Sequence, residues 1–253
     1  EVLALLRQAL TQPRFDQDAI DRVRAQVLSG IASDAKSPNS IARSYFNQAA
    51  FGDHPYGSSP DGTVESVNSL TRQDMFDAAR NALTRKDIYV SAVGDITAQE
   101  IGGLLDDLLG DLPADGPDAP ADVAFGLGGG VTVIPYDTPQ AVALFGHAGI
   151  KRNDDDFFAA YILNEVLGGS GFESRLMNEV REKRGLTYGI GSYLVPKFQA
   201  EMWIGQVASG NETIAQAIDV IRAVWTDLAT NGMTQAELDS IKTYLTGAYP
   251  LRF

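Results

Sequence analysis

Arg181 and Tyr188 lie in the segment NEVREKRGLTYGIGSY, just after the glycine-rich stretch LGGSGFESRL. Glu179, Arg181, Glu182, Lys183 and Arg184 crowd the first half, which reads as the end of a helix. From Leu186 onward the pattern turns toward a strand, and Gly185 permits the turn between them. A guanidinium fork and a phenol on either side of such a corner can hold a carbonyl, a carboxylate or a developing oxyanion. The same residues also admit a plainer arrangement, with Arg181 paired to a helix acid and Tyr188 packed in the strand.

Other chemistry is sparse. The chain has no cysteine, which removes disulfides, thiolate nucleophiles and cysteine metal ligands. Its 2 histidines, His54 and His147, are far apart, so no His-x-x-x-His pair can be drawn. His54 precedes a proline in a loop and His147 lies inside LFGHAGI. Both read as structural rather than as ligands. Gly168-Gly169-Ser170-Gly171 is no phosphate loop, because no Lys-Ser/Thr follows. It reads as a helix C-cap with Gly169 or Gly171 at positive φ, a reading compatible with a loop that touches substrate.

The 253 residues are enough for one large or two ordinary domains, and 44% of them are hydrophobic. The net charge of −13, from 33 acids against 20 bases, argues against nucleic-acid binding. No apolar run is long enough to span a bilayer. The absence of cysteine and the acidic balance lean toward the periplasm over the cytoplasm. The chain begins EVLALLRQAL without Met or a signal peptide and stops at GAYPLRF, which suggests a fragment.

Apolar periodicity predicts helices over residues 1–12, over 16–31 capped by Asp16, and from Ser37 through SPNSIARSYFNQAAFG. DHPYGSSPDGT is a loop. Thr71 caps the helix TRQDMFDAARNALT, DIYVSAVGDI (87–96) reads as a strand, and TAQEIGGLLDDLLGDL as an amphipathic helix. The Pro/Asp/Ala/Gly-rich residues 113–127 form the best boundary. Beyond them VTVIPY and QAVALFGHAGI are predicted strands, and DDDFFAAYILNEVLGGS is a helix with three acids in its first turn. Residues 186–195 and 199–207 form a hairpin, Asn211 caps a long helix, and MTQAELDSIKTYLTG is the last helix.

One ungapped shift sets Val2 on Val220, Leu3 on Ile221, Leu6 on Val224 and Leu10 on Leu228. It also sets Gln17 on Gln235, Ile20 on Leu238, Asp21 on Asp239 and Arg24 on Lys242, with the break between the helices at the same place. This indicates an internal duplication. Residues 1–112 are then the back part of one domain and residues 128–253 the front part of a second copy.

Taken together, these segments resemble the M16 zinc peptidases: pitrilysin, insulin-degrading enzyme, the mitochondrial processing peptidase and the bc1 core subunits. FGDHPYGSSPDGTVESVNSLTRQDM and VSAVGD are similar to the family's first domain. LGGSGFESRLMNEVREKRGLTYGIGSY is similar to its second-domain signature and is the most specific stretch. The resemblance implies an α+β fold of two homologous LuxS-like metallohydrolase-type α/β sandwich domains, each incomplete here.

It implies an active domain with His-x-x-Glu-His and a distal Glu, faced by a metal-free domain whose Arg and Tyr hold the substrate backbone. Arg181 and Tyr188 match that pair, with Gly169, Ser170, Gly171 and Phe172 as supporting chamber wall. The helix FFAAYILNEVLGG offers Ala160, Tyr161, Leu163 and Asn164 where ligands are needed, so no metal is expected in this chain. Asp21 takes the distal Glu's place and is one methylene shorter.

The expected function is the substrate-binding, non-catalytic half of a heterodimeric peptidase, inactive alone. It acts on peptides or unfolded proteins beside a homologous subunit that carries zinc. Two alternatives stay open: an assembly subunit of the bc1 core type, and a piece of an active zinc endopeptidase whose zinc half lies elsewhere.

Overall fold

The computed structural model describes residues 2–169 and 173–252. The chain divides into two compact units that interleave along the sequence, Glu1–Ser33 with Pro60–Ala119, and Asp34–Ser59 with Pro120–Phe253.

The first unit is helical among its described residues: α1 (Val2–Thr11), α2 (Gln17–Asp34), α4 (Val64–Ser69), α5 (Arg72–Ala82) and α6 (Ala98–Leu109). Local chemistry sets the helix starts. Thr63, Thr71 and Thr97 each open a capping box, the partners being Ser66, Asp74 and Glu100. Arg24 of α2 donates to the carbonyls of Val67 and Leu70 at the end of α4. Arg72 of α5 donates to the carbonyls of Arg14 and Phe15 in the turn before α2.

The predicted strand over 87–96 does not form a ladder. A strand is stable only when its amides and carbonyls find a neighbour, and no described segment pairs with it. Tyr89 and Val93 stand exposed. VTVIPY behaves in the same way in the second unit, with Val131 and Val133 exposed.

The second unit holds a three-stranded antiparallel sheet in the order β1-β3-β2, from β1 (Gln140–Ala148), β2 (Ile190–Pro196) and β3 (Glu201–Gly210). Alternation along the strands separates two cores. Ala143, Phe145, Trp203 and Val207 face α7 (Phe157–Gly168) and α8 (Ile214–Asn231), burying Leu167, Ile221 and Leu228. Leu144, Ile204 and Met202 face α3 (Pro38–Phe51) and its Phe46, Ala50 and Phe51. The last helix is α9 (Gln235–Ala248).

Ser37 caps α3 as its sequence predicts. Two other starts differ. Asn211 does not cap α8; its amide donates to the Thr138 carbonyl, and Thr213 occupies the N-cap. The acids Asp154–Asp156 precede α7 rather than filling its first turn, and Asp154 accepts the backbone N–H of Asp156.

The positions paired by the sequence shift share local geometry. α2 starts at Gln17 and α9 at Gln235, which are matched positions. Gln17 donates to Asp21 at 2.8 Å, and Gln235 donates to Asp239 at 2.8 Å. The paired positions differ in burial: Ile221 and Val224 are 4% and 9% exposed, whereas Leu3 and Leu6 are 43% and 44% exposed.

Candidate functional site

The segment carrying Arg181 is not an ordinary helix end. Met177–Glu182 is a π-helix, in which Lys183 donates its N–H to the Asn178 carbonyl at 2.9 Å. Such turns are uncommon and are frequent at functional sites. Two further bonds close the corner: Gly185 N–H to the Arg181 carbonyl at 2.7 Å and Leu186 N–H to the Val180 carbonyl at 3.0 Å. Gly185 sits at φ 61°, the left-handed conformation its position requires. Val180 is fully buried below, so the corner is pinned to the core.

Charge is distributed unevenly over this corner. Glu179 accepts from Lys183 at 2.5 Å and from Arg184 at 2.7 Å, and these two cations hold its carboxyl below the usual carboxylate range. Arg181 lies 3.4 Å from the Glu182 carboxylate, a loose exposed pairing of the kind that contributes little. Tyr188 precedes β2 and is 90% exposed, so it does not pack into the strand.

Arg181 and Tyr188 line one open cavity of about 410 Å³ together with Gln140, Thr187, Ser209 and Thr213. Of the remaining predicted site residues, Gly169 ends α7 at φ −60°, not at positive φ. Its glycine requirement is steric, since a Cβ there meets the Glu165 Cα at 2.6 Å. Ser170, Gly171 and Phe172 lie outside the described residues.

The segment is anchored from behind by a residue that the sequence did not single out. Arg175 donates Nε and Nη2 to the two carboxylate oxygens of Glu237, Nη1 to Asp227 at 2.9 Å and Nη2 to the Gly232 carbonyl at 3.0 Å. Glu237 also closes the capping box of α9 with Thr234. Arg175 and these bonds together hold its carboxyl down at about 2. The capping box Thr234-x-x-Glu237 is legible in sequence, but its capture by an arginine 62 positions away is not.

A zinc site does not fit the residues present. Ala160 and Leu163 carry no donor atoms. The Asn164 carbonyl oxygen accepts from Ser192 Oγ and from Trp203 Nε1, both at 2.8 Å, so α7 is bonded to the sheet at that point.

Both imidazoles are engaged. His54 Nδ1 accepts the Tyr56 N–H, and Nε2 lies 3.2 Å from the Ala121 carbonyl as donor. His147 Nε2 accepts from Trp225 Nε1, leaving Nδ1–H to the Ala148 carbonyl. Asp21 accepts from Gln17 and Arg24 on the surface of α2, as Asp239 accepts from Gln235. Among the described residues no group of three or more His, Asp or Glu converges as a metal site, and no helix is long and apolar enough to cross a membrane.

Residues 69–245 match the family described as the peptidase M16 inactive domain. A non-peptidase homolog, YmxG, of Helicobacter pylori is 27% identical over the whole chain, which spans 58% of that protein. An uncharacterized zinc protease of Streptomyces coelicolor is 29% identical over 94% of the chain and 53% of its own length. The crystal structure of a peptidase M16 inactive domain from Pseudomonas fluorescens superposes with a TM-score of 0.87 at 26% identity, over 98% of this chain and 60% of that one. The chain therefore spans a little over half the length of the relatives it matches.

Proposed function

The chain belongs to the M16 peptidase family and matches its inactive domain, and from that premise we propose that it is the substrate-binding, non-catalytic half of a peptidase. In this reading residues 1–112 and 128–253 are parts of two homologous M16-like domains joined by 113–127. The substrate is a peptide or unfolded protein, and the zinc belongs to a homologous His-x-x-Glu-His subunit in a heterodimer.

The observation that carries this reading is the shared cavity wall of Arg181 and Tyr188. A guanidinium offers several N–H donors in a plane and suits successive carbonyl oxygens of an extended chain. The exposed phenol offers a single O–H that donates to an oxygen gaining negative charge. Neither residue supplies a nucleophile or a metal ligand, so their contribution is orientation and charge stabilisation.

Co-purification identifies the zinc-bearing subunit, and hydrolysis of an unfolded peptide by the reconstituted pair supplies the assay. Arg181→Ala is expected to raise KM, and Tyr188→Phe, which loses a donor to both the bound backbone and the developing oxyanion, to weaken peptide binding and to lower kcat by about a hundredfold, the scale of one lost oxyanion donor. Unchanged rates in both variants would leave the assembly role in its place.

A further inference from the structure

We propose that Thr187 and Ser209 are positioning residues that hold Tyr188 at the cavity mouth. This rests on the reading of Tyr188 as a backbone-gripping donor. The ladder between β2 and β3 ends at Ile190 opposite Val207. The residues before it, Leu186 to Gly189, therefore have no strand register to hold them, yet Tyr188 projects from this stretch.

Side-chain hydroxyls continue the closure where the backbone ladder stops. Thr187 Oγ1 lies 2.6 Å from the Ala208 carbonyl and 2.9 Å from the Gly189 carbonyl, and accepts the Gly189 N–H at 3.1 Å. A hydroxyl has one proton, and the shorter contact assigns it to Ala208. Ser209 Oγ donates to the Leu186 carbonyl at 2.6 Å. Its proton is thereby used, so in the 2.8 Å contact with Thr213 the threonine is the donor.

Two consecutive residues of β3, Ala208 and Ser209, thus grip the turn at Thr187 and at Leu186. Thr187 and Ser209 are themselves buried, at 9% and 2% exposure, so water competes poorly for these bonds. The result is an exposed ring on a stretch tied down at both flanks, at Leu186 through both its N–H and its carbonyl and at Gly189 through its N–H, which lowers the ordering cost of binding.

The test uses the 253-residue chain. Thr187→Val removes the hydroxyl and keeps the branched shape, and Thr187→Ser keeps the hydroxyl. Amide exchange at Gly189, whose N–H donates to Thr187 Oγ1, is expected to speed up to about tenfold in Thr187→Val, the size of one lost hydrogen bond, and to recover in Thr187→Ser. Affinity for a fluorescein-labelled unstructured peptide should fall and recover in parallel.

Ser209→Ala releases the Leu186 carbonyl and should act in the same direction, which keeps the test open if the valine variant does not fold. Unchanged exchange in both Thr187→Val and Ser209→Ala overturns the proposal. So does faster exchange with unchanged peptide affinity, provided that Tyr188→Phe weakens binding. If Tyr188→Phe binds the peptide like the parent chain, the reading underneath falls instead.

Discussion

Arg175 and Glu237 form a two-pronged ion pair, Nε to Oε1 at 2.7 Å and Nη2 to Oε2 at 2.8 Å, that joins the start of the Arg181 segment to the first turn of α9. The glutamate serves both the arginine and the α9 cap, so one carboxylate fixes two elements. The segment that presents Arg181 is thereby held at its start by charge and at its end by the Gly185 corner.

Acid should release this clasp. The Glu237 carboxyl lies at about 2 when folded, against an ordinary value of 4.5, so it favours the folded state above 4.5 and loses that contribution as the pH falls through about 2. With the Glu237 side chain 31% exposed, the pair contributes about 1–2 kcal/mol after screening. Glu237→Gln should lower the denaturant midpoint at neutral pH and flatten the stability profile between pH 4.5 and 2, measured by urea unfolding. A profile as steep as that of the parent chain would assign the acid sensitivity to other groups.

Asn164 should be more costly to truncate than its size suggests. Its one carbonyl oxygen accepts from Ser192 and Trp203, and the residue is 4% exposed. Asn164→Ala strands one buried and one partly buried donor as well as opening a small cavity, for a loss of about 2–4 kcal/mol. Trp203 fluorescence should move with it, since the indole N–H loses its acceptor. Asn164→His, which adds an imidazole at this point of α7, is expected to leave zinc affinity absent in equilibrium dialysis, because Ala160 and Leu163 still offer no donor atoms.

The approach of α7 to β2 depends on Gly168. A Cβ there meets Ser192 Oγ at 2.6 Å and Ser192 N at 2.8 Å. Gly168→Ala should push the helix off the strand and destabilise the chain by about 1–3 kcal/mol, the usual scale of overpacking, read as a lowered Tm. Gly168→Ala with Ser192→Gly, which removes the obstructing hydroxyl, should recover only part of the loss, because the strand backbone remains in the way.

The sequence carried the helices well, because their caps and periodicity are local: Ser37, Thr71 and Thr97 start helices where their side chains reach the third amide onward. It carried β1 and the hairpin for the same reason. It misplaced what depends on distant partners. DIYVSAVGDI and VTVIPY alternate like strands, but alternation specifies only a face, and the ladder needs a neighbour.

At the site, residue types and the Gly185 turn were readable. The π-helical winding of Met177–Glu182 was not, since no local signal distinguishes a six-residue π-turn from an ordinary helix end. Thr187 and Ser209 escaped notice because each hydroxyl takes its meaning from a carbonyl on another strand.

The two helix pairs that the sequence shift sets on one another should respond unequally to matched substitutions. Leu6 and Val224 occupy equivalent positions, but Val224 is 9% exposed in the packed core below β1 and β3, whereas Leu6 is 44% exposed. Large-to-small changes are costly where neighbours cannot collapse into the space and cheap where water already reaches the side chain. Val224→Ala should therefore cost about 2 kcal/mol, and Leu6→Ala under about 1 kcal/mol despite removing more carbon. Paired urea titrations of the two variants decide the matter. Equal losses would mean that α1 buries its apolar stripe in solution as fully as α8 does.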